Sequence, residues 1–409
     1  MNTKNLKPTL WLIILIIGLP QLSETVYTPS LPDIAQSLAV SANMVEYTLS
    51  IYLLGFAVGV LFWGRFSDKV GRKPSLIAGL SIYLLGCAGC YLADSIYPLM
   101  LARFIQAFGG STGSVIGQTI ARDAFESHER GRIFATIGVA LAFAPAVGPV
   151  IGGYTDHFFG WSAVFLVLIA IGSYILLKVC RELPETKPQD FITEKRPFFR
   201  DAFKVLTDRR ILIYGFLVGG CNGIVFGYYA EGPFYFIELM GMTPSNFGLI
   251  SLGMAGPMLL GAFSCRKMLS KGVSGELIII MGCSICILGS LILLALSYSG
   301  FVNAGNGLLA ISVCMGVIML IMMGVPMIVS NCLSSALEHY GHMTGTAASF
   351  FGGYYYLVIT LMTGLMGSIH NGTALPMPLY FVGIGLSMLA AFGYYIKASG
   401  SVAKETAKT

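Results

Sequence analysis

Three ionisable side chains lie inside long apolar stretches of the chain: Glu24, Arg103 and Glu231. A charge inside a bilayer is costly unless it is paired or hydrated, so such residues are functional candidates. A carboxylate can bind and release a proton, whereas an arginine keeps its charge. If Glu24 and Arg103 face one cavity they can pair, and protonation of Glu24 would release Arg103. The chemistry indicated is reversible proton binding.

Other polar residues lie at helical spacing from these three. Gln21, three positions before Glu24, and Thr28, four positions after it, share a helix face with Glu24. Gln106 likewise shares a face with Arg103. The candidate cavity and substrate residues are Gln21, Thr28, Gln106, Asn222 and Tyr229. Structural interpretations stay open: Arg103 as a bridge between helices, and Glu24 as a residue of the outer rim. Glu231 continues the small-residue stripe Gly219, Gly223, Gly227, which is typical of helix packing.

The elements that must position these residues are transmembrane helices. The 409-residue chain is 55% hydrophobic and 11% charged, far below the charged content of soluble domains, and its mean hydropathy is +0.76. Apolar runs of about 20 residues, the length that crosses a bilayer, recur throughout. No metal-ligand cluster, nucleophile–base pair or cofactor loop is visible. The sequence therefore predicts an all-α membrane protein that is not an enzyme and needs no metal or cofactor.

Turn residues and charge clusters divide the chain into twelve predicted spans. Asn43 and Glu46 resemble a capping box, and Thr243-Pro244 places a proline at a first helical position. The N-terminal apolar run has no cleavage site and is predicted to be a retained first span. The predicted spans are 9–30, 44–64, 74–93, 97–120, 132–154, 161–180, 211–236, 245–265, 275–297, 304–331, 343–369 and 377–397.

The basic residues predict the orientation of these spans. All 25 Lys and Arg except Arg103 fall on one side of the predicted topology, which places both termini in the cytoplasm. The polar stretch 181–210 is predicted to link an N-terminal six-helix bundle, 1–180, to a C-terminal one, 211–397, with residues 398–409 as a tail. Paired halves are a transporter signature.

The stretch "GRFSDKVGRKP" at 64–74 concentrates charge in a predicted cytoplasmic turn. Orientation explains its basic residues but not Asp68. Glycine permits close backbone approach at Gly64, and at Gly71 a turn conformation that other residues resist. Asp68 is expected near a helix N-terminus, whose dipole favours negative charge.

This turn resembles the loop 2–3 signature of the major facilitator superfamily. "LARFIQAFGG" at 101–110 resembles the fourth-span motif of that family, and "GVALAFAPAVGPVIGG" at 138–153 the fifth-span motif of its antiporters. "ETVYTPSLPDIA" at 24–35 resembles the end of the first span in twelve-span drug:proton antiporters, particularly the bicyclomycin- and chloramphenicol-resistance exporters.

The resemblance implies two pseudo-symmetric bundles around a cavity that opens alternately to each side, in a monomer of the bacterial inner membrane. It implies that spans 1, 4 and 7 line the cavity, and these spans carry Glu24, Arg103 and Glu231, the residues predicted above to couple transport to protons. It also implies a conformational latch and a deformable fifth span. The latch residues are Gly64, Asp68, Gly71, Arg72 and Lys73; those of the fifth span are Pro145, Gly148, Pro149, Gly152 and Gly153.

The leading hypothesis is a proton-coupled exporter of amphipathic small molecules, with protons, a small-molecule substrate and the bilayer as its partners and no nucleic acid. Export or import of a specific metabolite or metallophore stays open, as does a sensor that binds a ligand without transporting it.

Overall fold

Helices account for nearly all of the backbone that the structure describes, which comprises residues 7–187, 203, 205–302, 307–338, 340 and 344–406 of a computed structural model. Apolar side chains cover these helices, and backbone hydrogen bonding within each helix removes unpaired polar groups from the lipid. In chain order the α-helices are α1 (Leu10–Thr25), α2 (Leu31–Ser37), α3 (Ala42–Val70), α4 (Arg72–Tyr91), α5 (Ile96–Ala124), α6 (Ser127–Phe159), α7 (Ala163–Glu182), α8 (Arg209–Pro233), α9 (Pro244–Ser251), α10 (Ala255–Ser270), α11 (Gly275–Tyr298), α12 (Gly307–Ala336), α13 (Thr344–Ile369) and α14 (Pro376–Thr406).

Short irregular segments extend three of these helices. The 3₁₀ turn Thr28–Ser30 joins α1 to α2, the π-helical segment Phe234–Leu239 follows α8, and the 3₁₀ turn Leu252–Met254 joins α9 to α10. Counting such joined pieces together, 11 helices in the described part of the chain are long and apolar enough to cross a membrane. The helix α5 has 29 residues but carries Arg103 within it, and it falls outside that set. Each predicted span coincides with one helical stretch.

The described residues form two compact units. The first unit takes its residues from 1–196 together with Met242–Leu252, and therefore contains α1 to α7 and α9. The second unit takes its residues from 197–241 and 253–409, and contains α8 and α10 to α14. The bundle boundaries 1–180 and 211–397 stay a prediction.

One of the two predicted helix starts is correct. Thr243 caps α9 by accepting a hydrogen bond from the backbone N–H of Asn246. The capping box at Asn43 and Glu46 is wrong, because α3 already begins at Ala42 and Ser41 takes the cap position. Glu46 consequently lies in the second turn of the helix, where it is fully buried.

Glycines bring helices of the first unit into close contact. A Cβ atom at Gly113 of α5 would collide with the carbonyl oxygen of Ile16 in α1, and one at Gly109 with the backbone of Tyr83 in α4. Small residues let helix backbones approach in this way. These glycines hold α5 against both neighbours, and α5 carries Arg103.

The glycine stripe of α8 does the same in the second unit. A Cβ atom at Gly219 would lie 2.5 Å from Val358 of α13, and one at Gly227 would lie 2.5 Å from Tyr380 of α14. The packing interpretation of this stripe is confirmed.

Candidate functional site

The guanidinium of Arg103 packs against two aromatic rings in the first unit. Its Cζ atom is 4.3 Å from the ring centroid of Tyr27 and 4.1 Å from that of Tyr52. All three side chains are fully buried. A cation over an aromatic face is attracted by the ring quadrupole, and more strongly when both are withdrawn from water. The rings therefore replace part of the hydration that Arg103 loses.

One edge of the guanidinium is bound by a side chain of the same helix. Arg103 Nη1 donates to Gln106 Oε1 at 2.6 Å, as the shared helix face predicts, and Gln106 Nε2 contacts Cys87 Sγ at 3.0 Å. Arg103 Nε and Nη2 make no hydrogen bond to the described residues. These two nitrogens form the edge that binds a carboxylate in side-on arginine pairs.

Glu24 is the nearby acid, at the end of α1 and only 3% exposed. Its Oε1 has no hydrogen-bond partner among the described residues. Glu24 is close enough to Arg103 for an electrostatic effect, yet no N–O contact of 4.0 Å or less joins them. The direct ion pair anticipated from the sequence is thus not formed in this structure.

The two polar residues beside Glu24 bond to their own helix. Thr28 Oγ1 donates to the carbonyl oxygen of Thr25 at 2.9 Å, and the carbonyl oxygen of Gln21 accepts from Thr25 Oγ1 at 3.1 Å. Thr28 is fully buried in the 3₁₀ turn, so the regular helical spacing that places it on the Glu24 face ends before it.

Glu231 pairs with a residue that the sequence does not single out. Glu231 Oε2 lies 2.8 Å from Nδ1 of His370, which directly follows α13. The imidazole packs on Phe234, with 5.2 Å between ring centroids. Glu231 is 1% exposed. Pro233 ends α8 immediately before the π-helical segment, a backbone irregularity frequent at functional sites. The second unit therefore holds its own buried acid with a titratable partner.

The other two candidates on α8 have ordinary helical contacts. Asn222 Nδ2 donates to the carbonyl oxygen of Val218 at 2.8 Å. Tyr229 is 5% exposed and packs against Phe226 and Tyr228.

The side chain of Arg72, in the turn between α3 and α4, bonds to three other side chains. It is 3% exposed. Nη1 donates to Asp68 Oδ1 at 2.5 Å and to Ser67 Oγ at 2.9 Å, and Nε donates to Asp123 Oδ2 of α5 at 3.1 Å. One buried arginine therefore ties together three helices, and it balances two acids.

A second acid binds the backbone of the same turn. Glu185, three residues beyond α7, accepts the N–H of Arg72 at 2.9 Å and that of Lys73 at 3.1 Å. Lys73 Nζ in return donates to the carbonyl oxygen of Cys180 at 3.0 Å. An acid at a helix N-terminus is favoured by unpaired N–H groups and by the dipole. The start of the interbundle stretch is thereby fixed to the turn.

The two glycines of the turn differ. Gly71 has φ of +115°, and a Cβ there would lie 2.6 Å from Glu185 Oε2, so glycine is required. The close approach predicted at Gly64 is wrong: a Cβ there would meet only Val115, at an ordinary 3.7 Å.

The fifth-span motif lies in one continuous helix, α6, with Pro145 and Pro149 inside it. A Cβ at Gly148 would collide with the Thr25 side chain, and one at Gly152 with the Val26 carbonyl group. A Cβ at Gly153 would meet the backbone of Pro244 in α9. The motif glycines Gly148 and Gly152 thus let the end of α1, next to Glu24, pack closely against α6.

Several residues of these sites carry no signal that the sequence analysis used. His370 and Tyr52 are such cases, because their partners are distant in sequence; Tyr27 lies in the motif at 24–35, but nothing there indicated its contact with Arg103. Glu185 lies in a stretch interpreted only as a linker.

Comparison with known proteins agrees with this architecture. The family model of the Major Facilitator Superfamily matches residues 13–363. An uncharacterized transporter of Rickettsia bellii (strain RML369-C) is 34% identical over 394 residues, covering 94% of this chain and 96% of the relative. A bicyclomycin resistance protein homolog of Haemophilus influenzae is 30% identical, covering 97% and 98%. The crystal structure of a D-xylose-proton symporter superposes with a TM-score of 0.74 at 14% identity, covering 93% and 96%, and shows the fold alone.

The helical architecture, the family match and these relatives agree with one another. A small-molecule transporter needs helices that span the bilayer rather than a catalytic centre. The chain belongs to the major facilitator superfamily, as a multi-pass transporter of the bacterial inner membrane and not an enzyme.

Proposed function

We propose that this transporter exports amphipathic small molecules in exchange for protons, by alternating access. The relative named for bicyclomycin resistance supports drug-like substrates. We also propose twelve spans in two six-helix bundles, 1–180 and 211–397, with both termini in the cytoplasm and a monomer as the working form.

The observation that carries the proton part of the proposal is that Glu24 and Arg103 are both buried without an ion pair among the described residues. A buried carboxylate and a buried guanidinium are each costly without a partner, and the guanidinium keeps its charge. Glu24 has one oxygen without a partner, and Arg103 presents two nitrogens suited to a carboxylate. A proton on Glu24 removes the attraction, and loss of that proton restores it.

This difference provides the coupling. When Glu24 is ionised it pairs with the Nε and Nη2 edge of Arg103, and when it is protonated the two separate. Because the end of α1 packs closely against α6, a change in the α1–α5 contact moves α6 as well. Glu231 with His370 provides a second place where a proton can be held, in the other unit.

The turn between α3 and α4 is proposed as the latch of the cycle. Arg72, bound by Asp68 and Asp123, joins three helices there, while Glu185 fixes the following chain. Breaking this cluster frees the turn and changes the balance between the two states of the cycle.

The test is transport of bicyclomycin into inside-out proteoliposomes under an imposed pH gradient. Wild-type protein is expected to accumulate the compound, and Glu24→Gln to lose accumulation while retaining part of its binding. Glu182→Gln, which changes an exposed acid in α7, is the matched control. Equal proton release by wild type and Glu24→Gln when bicyclomycin is added to solubilised protein would rule out Glu24 as the carrier.

The same preparation separates the other functions. Accumulation only with the opposite gradient would identify an importer, and binding without flux would identify a sensor. Orientation is tested by labelling single cysteines placed at residues 190 and 404, both of which are expected to react only from the cytoplasmic side.

A further inference from the structure

The two rings around Arg103 restrict how any partner can reach it. The rings of Tyr27 and Tyr52 both pack on the guanidinium, with their centroids 4.3 and 4.1 Å from its Cζ atom. Gln106 accepts from Nη1. Nε and Nη2 have no hydrogen-bond partner among the described residues, and together they offer a carboxylate a two-point hydrogen bond.

Each ring is itself held by its hydroxyl group. Tyr27 Oη lies 3.0 Å from Thr48 Oγ1, and Tyr52 Oη is 3.5 Å from the carbonyl oxygen of Pro20. Tyr27 lies just after α1, Tyr52 on α3 and Arg103 on α5, so three helices contribute. A long, flexible arginine side chain has many rotamers, and burial against two held rings removes most of them.

We infer that Tyr27 and Tyr52 are positioning residues that hold Arg103 in one place, so that Glu24 moves to the arginine rather than the arginine to Glu24. This inference rests on the coupling role proposed for Glu24. It makes the ring faces, not the hydroxyl groups, the essential part of both tyrosines. Ordinary core packing, by contrast, would give the ring faces no special relation to the charge of Arg103.

The test compares Tyr27→Phe and Tyr52→Phe, which keep the face, with Tyr27→Leu and Tyr52→Leu, which remove it. Proton-driven bicyclomycin accumulation and gradient-free bicyclomycin exchange are measured in proteoliposomes. The Phe variants are expected to keep most of both activities. The Leu variants are expected to lose about tenfold in accumulation, consistent with loss of one desolvated cation–π contact, while exchange persists. Equal loss of both activities, or Phe variants as impaired as the Leu variants, would overturn the inference.

Two further measurements keep the inference testable if a Leu variant does not fold or if bicyclomycin is not a substrate. Phenylalanines of increasing fluorination at position 52 keep the ring shape but weaken its negative face. The thermal unfolding temperature of the solubilised full chain is expected to fall stepwise with fluorination. It is expected to show no such dependence when Arg103→Met is present. The same dependence in both backgrounds would show that the ring only packs. Absence of bicyclomycin flux in wild type would count against the proposed function, not against this result.

Discussion

Replacement of Glu185 by glutamine isolates the contact that fixes the interbundle stretch to the α3–α4 turn. Glu185 accepts the N–H groups of Arg72 and Lys73 at 2.9 and 3.1 Å, and its Oε1 also accepts the N–H of Lys187 at 2.9 Å. The amide of a glutamine keeps one acceptor, loses the charge and turns an N–H₂ group toward backbone N–H groups. Hydrogen bonds to a charged group are worth about 1.5–3 kcal/mol each.

Glu185 is exposed, and solvent screening reduces this value, so we expect a loss of about 2 kcal/mol in total for the docked arrangement. That corresponds to about a thirty-fold increase in the opening equilibrium. Amide hydrogen exchange of solubilised protein reports it directly, since exchange in the native state scales with local opening. Exchange of the Arg72 and Lys73 amides should rise by about that factor, while peptides from α11 keep their wild-type rates.

The matched control is Glu182→Gln, which removes the same charge from the end of α7. Among the residues that the structure describes, Glu182 pairs with Lys178 Nζ alone, at 2.5 Å and with both side chains exposed. Surface pairs of this kind contribute about 0–1 kcal/mol. Unchanged exchange at Arg72 in Glu185→Gln, or an equal increase in the control, would refute the role assigned to Glu185.

Three further variants test the remaining contacts. Arg72→Lys loses the planar group that binds Asp68 and Asp123 at the same time, so we expect about 2–3 kcal/mol lower stability and reduced transport. Normal export by a well-folded variant would show that the turn is not a latch. Gly152→Ala should lower the free energy of unfolding by about 1–3 kcal/mol through overpacking, and with it the melting temperature, whereas Gly138→Ala, with open space around it, should be neutral or stabilising; equal melting temperatures would contradict the packing argument. Glu231→Gln and His370→Asn should each destabilise the second unit by about 1–3 kcal/mol and combine non-additively in a double variant, and additive effects on thermal unfolding would show that the 2.8 Å contact contributes nothing.

The positions of the helices follow from the sequence because the bilayer dictates them. A span must be about 20 apolar residues long, and this requirement acts locally along the chain. Thr243 and Pro244 are predictable for the same reason, since a cap and its helix are adjacent. The capping box at Asn43 failed because α3 begins earlier, with Ser41 at the N-cap position and Asn43 already inside the helix.

The side-chain contacts of the candidate sites depend on helix pairing, which a local pattern does not encode. Arg103 and Gln106 are neighbours on one helix, and their hydrogen bond follows from spacing. The rings of Tyr27 and Tyr52, and the imidazole of His370, come from other parts of the chain. Nothing near Tyr52 distinguishes it from the other 19 tyrosines of an aromatic membrane protein.

The assignment of α9 to the first unit has a consequence for biogenesis. A Cβ atom at Gly248 of α9 would collide with the carbonyl oxygen of Pro149 in α6. A Cβ atom at Gly153 of α6 would collide with the carbonyl oxygen of Pro244 in α9. Ribosomal synthesis reaches these α9 residues only after α8 has been made. The first unit therefore cannot complete its packing while its first seven helices are being inserted. The glycine face of α6 stays uncovered until a segment roughly ninety residues downstream has been synthesised. A truncated chain that ends within the 181–210 stretch would present that face to lipid or to quality-control proteases.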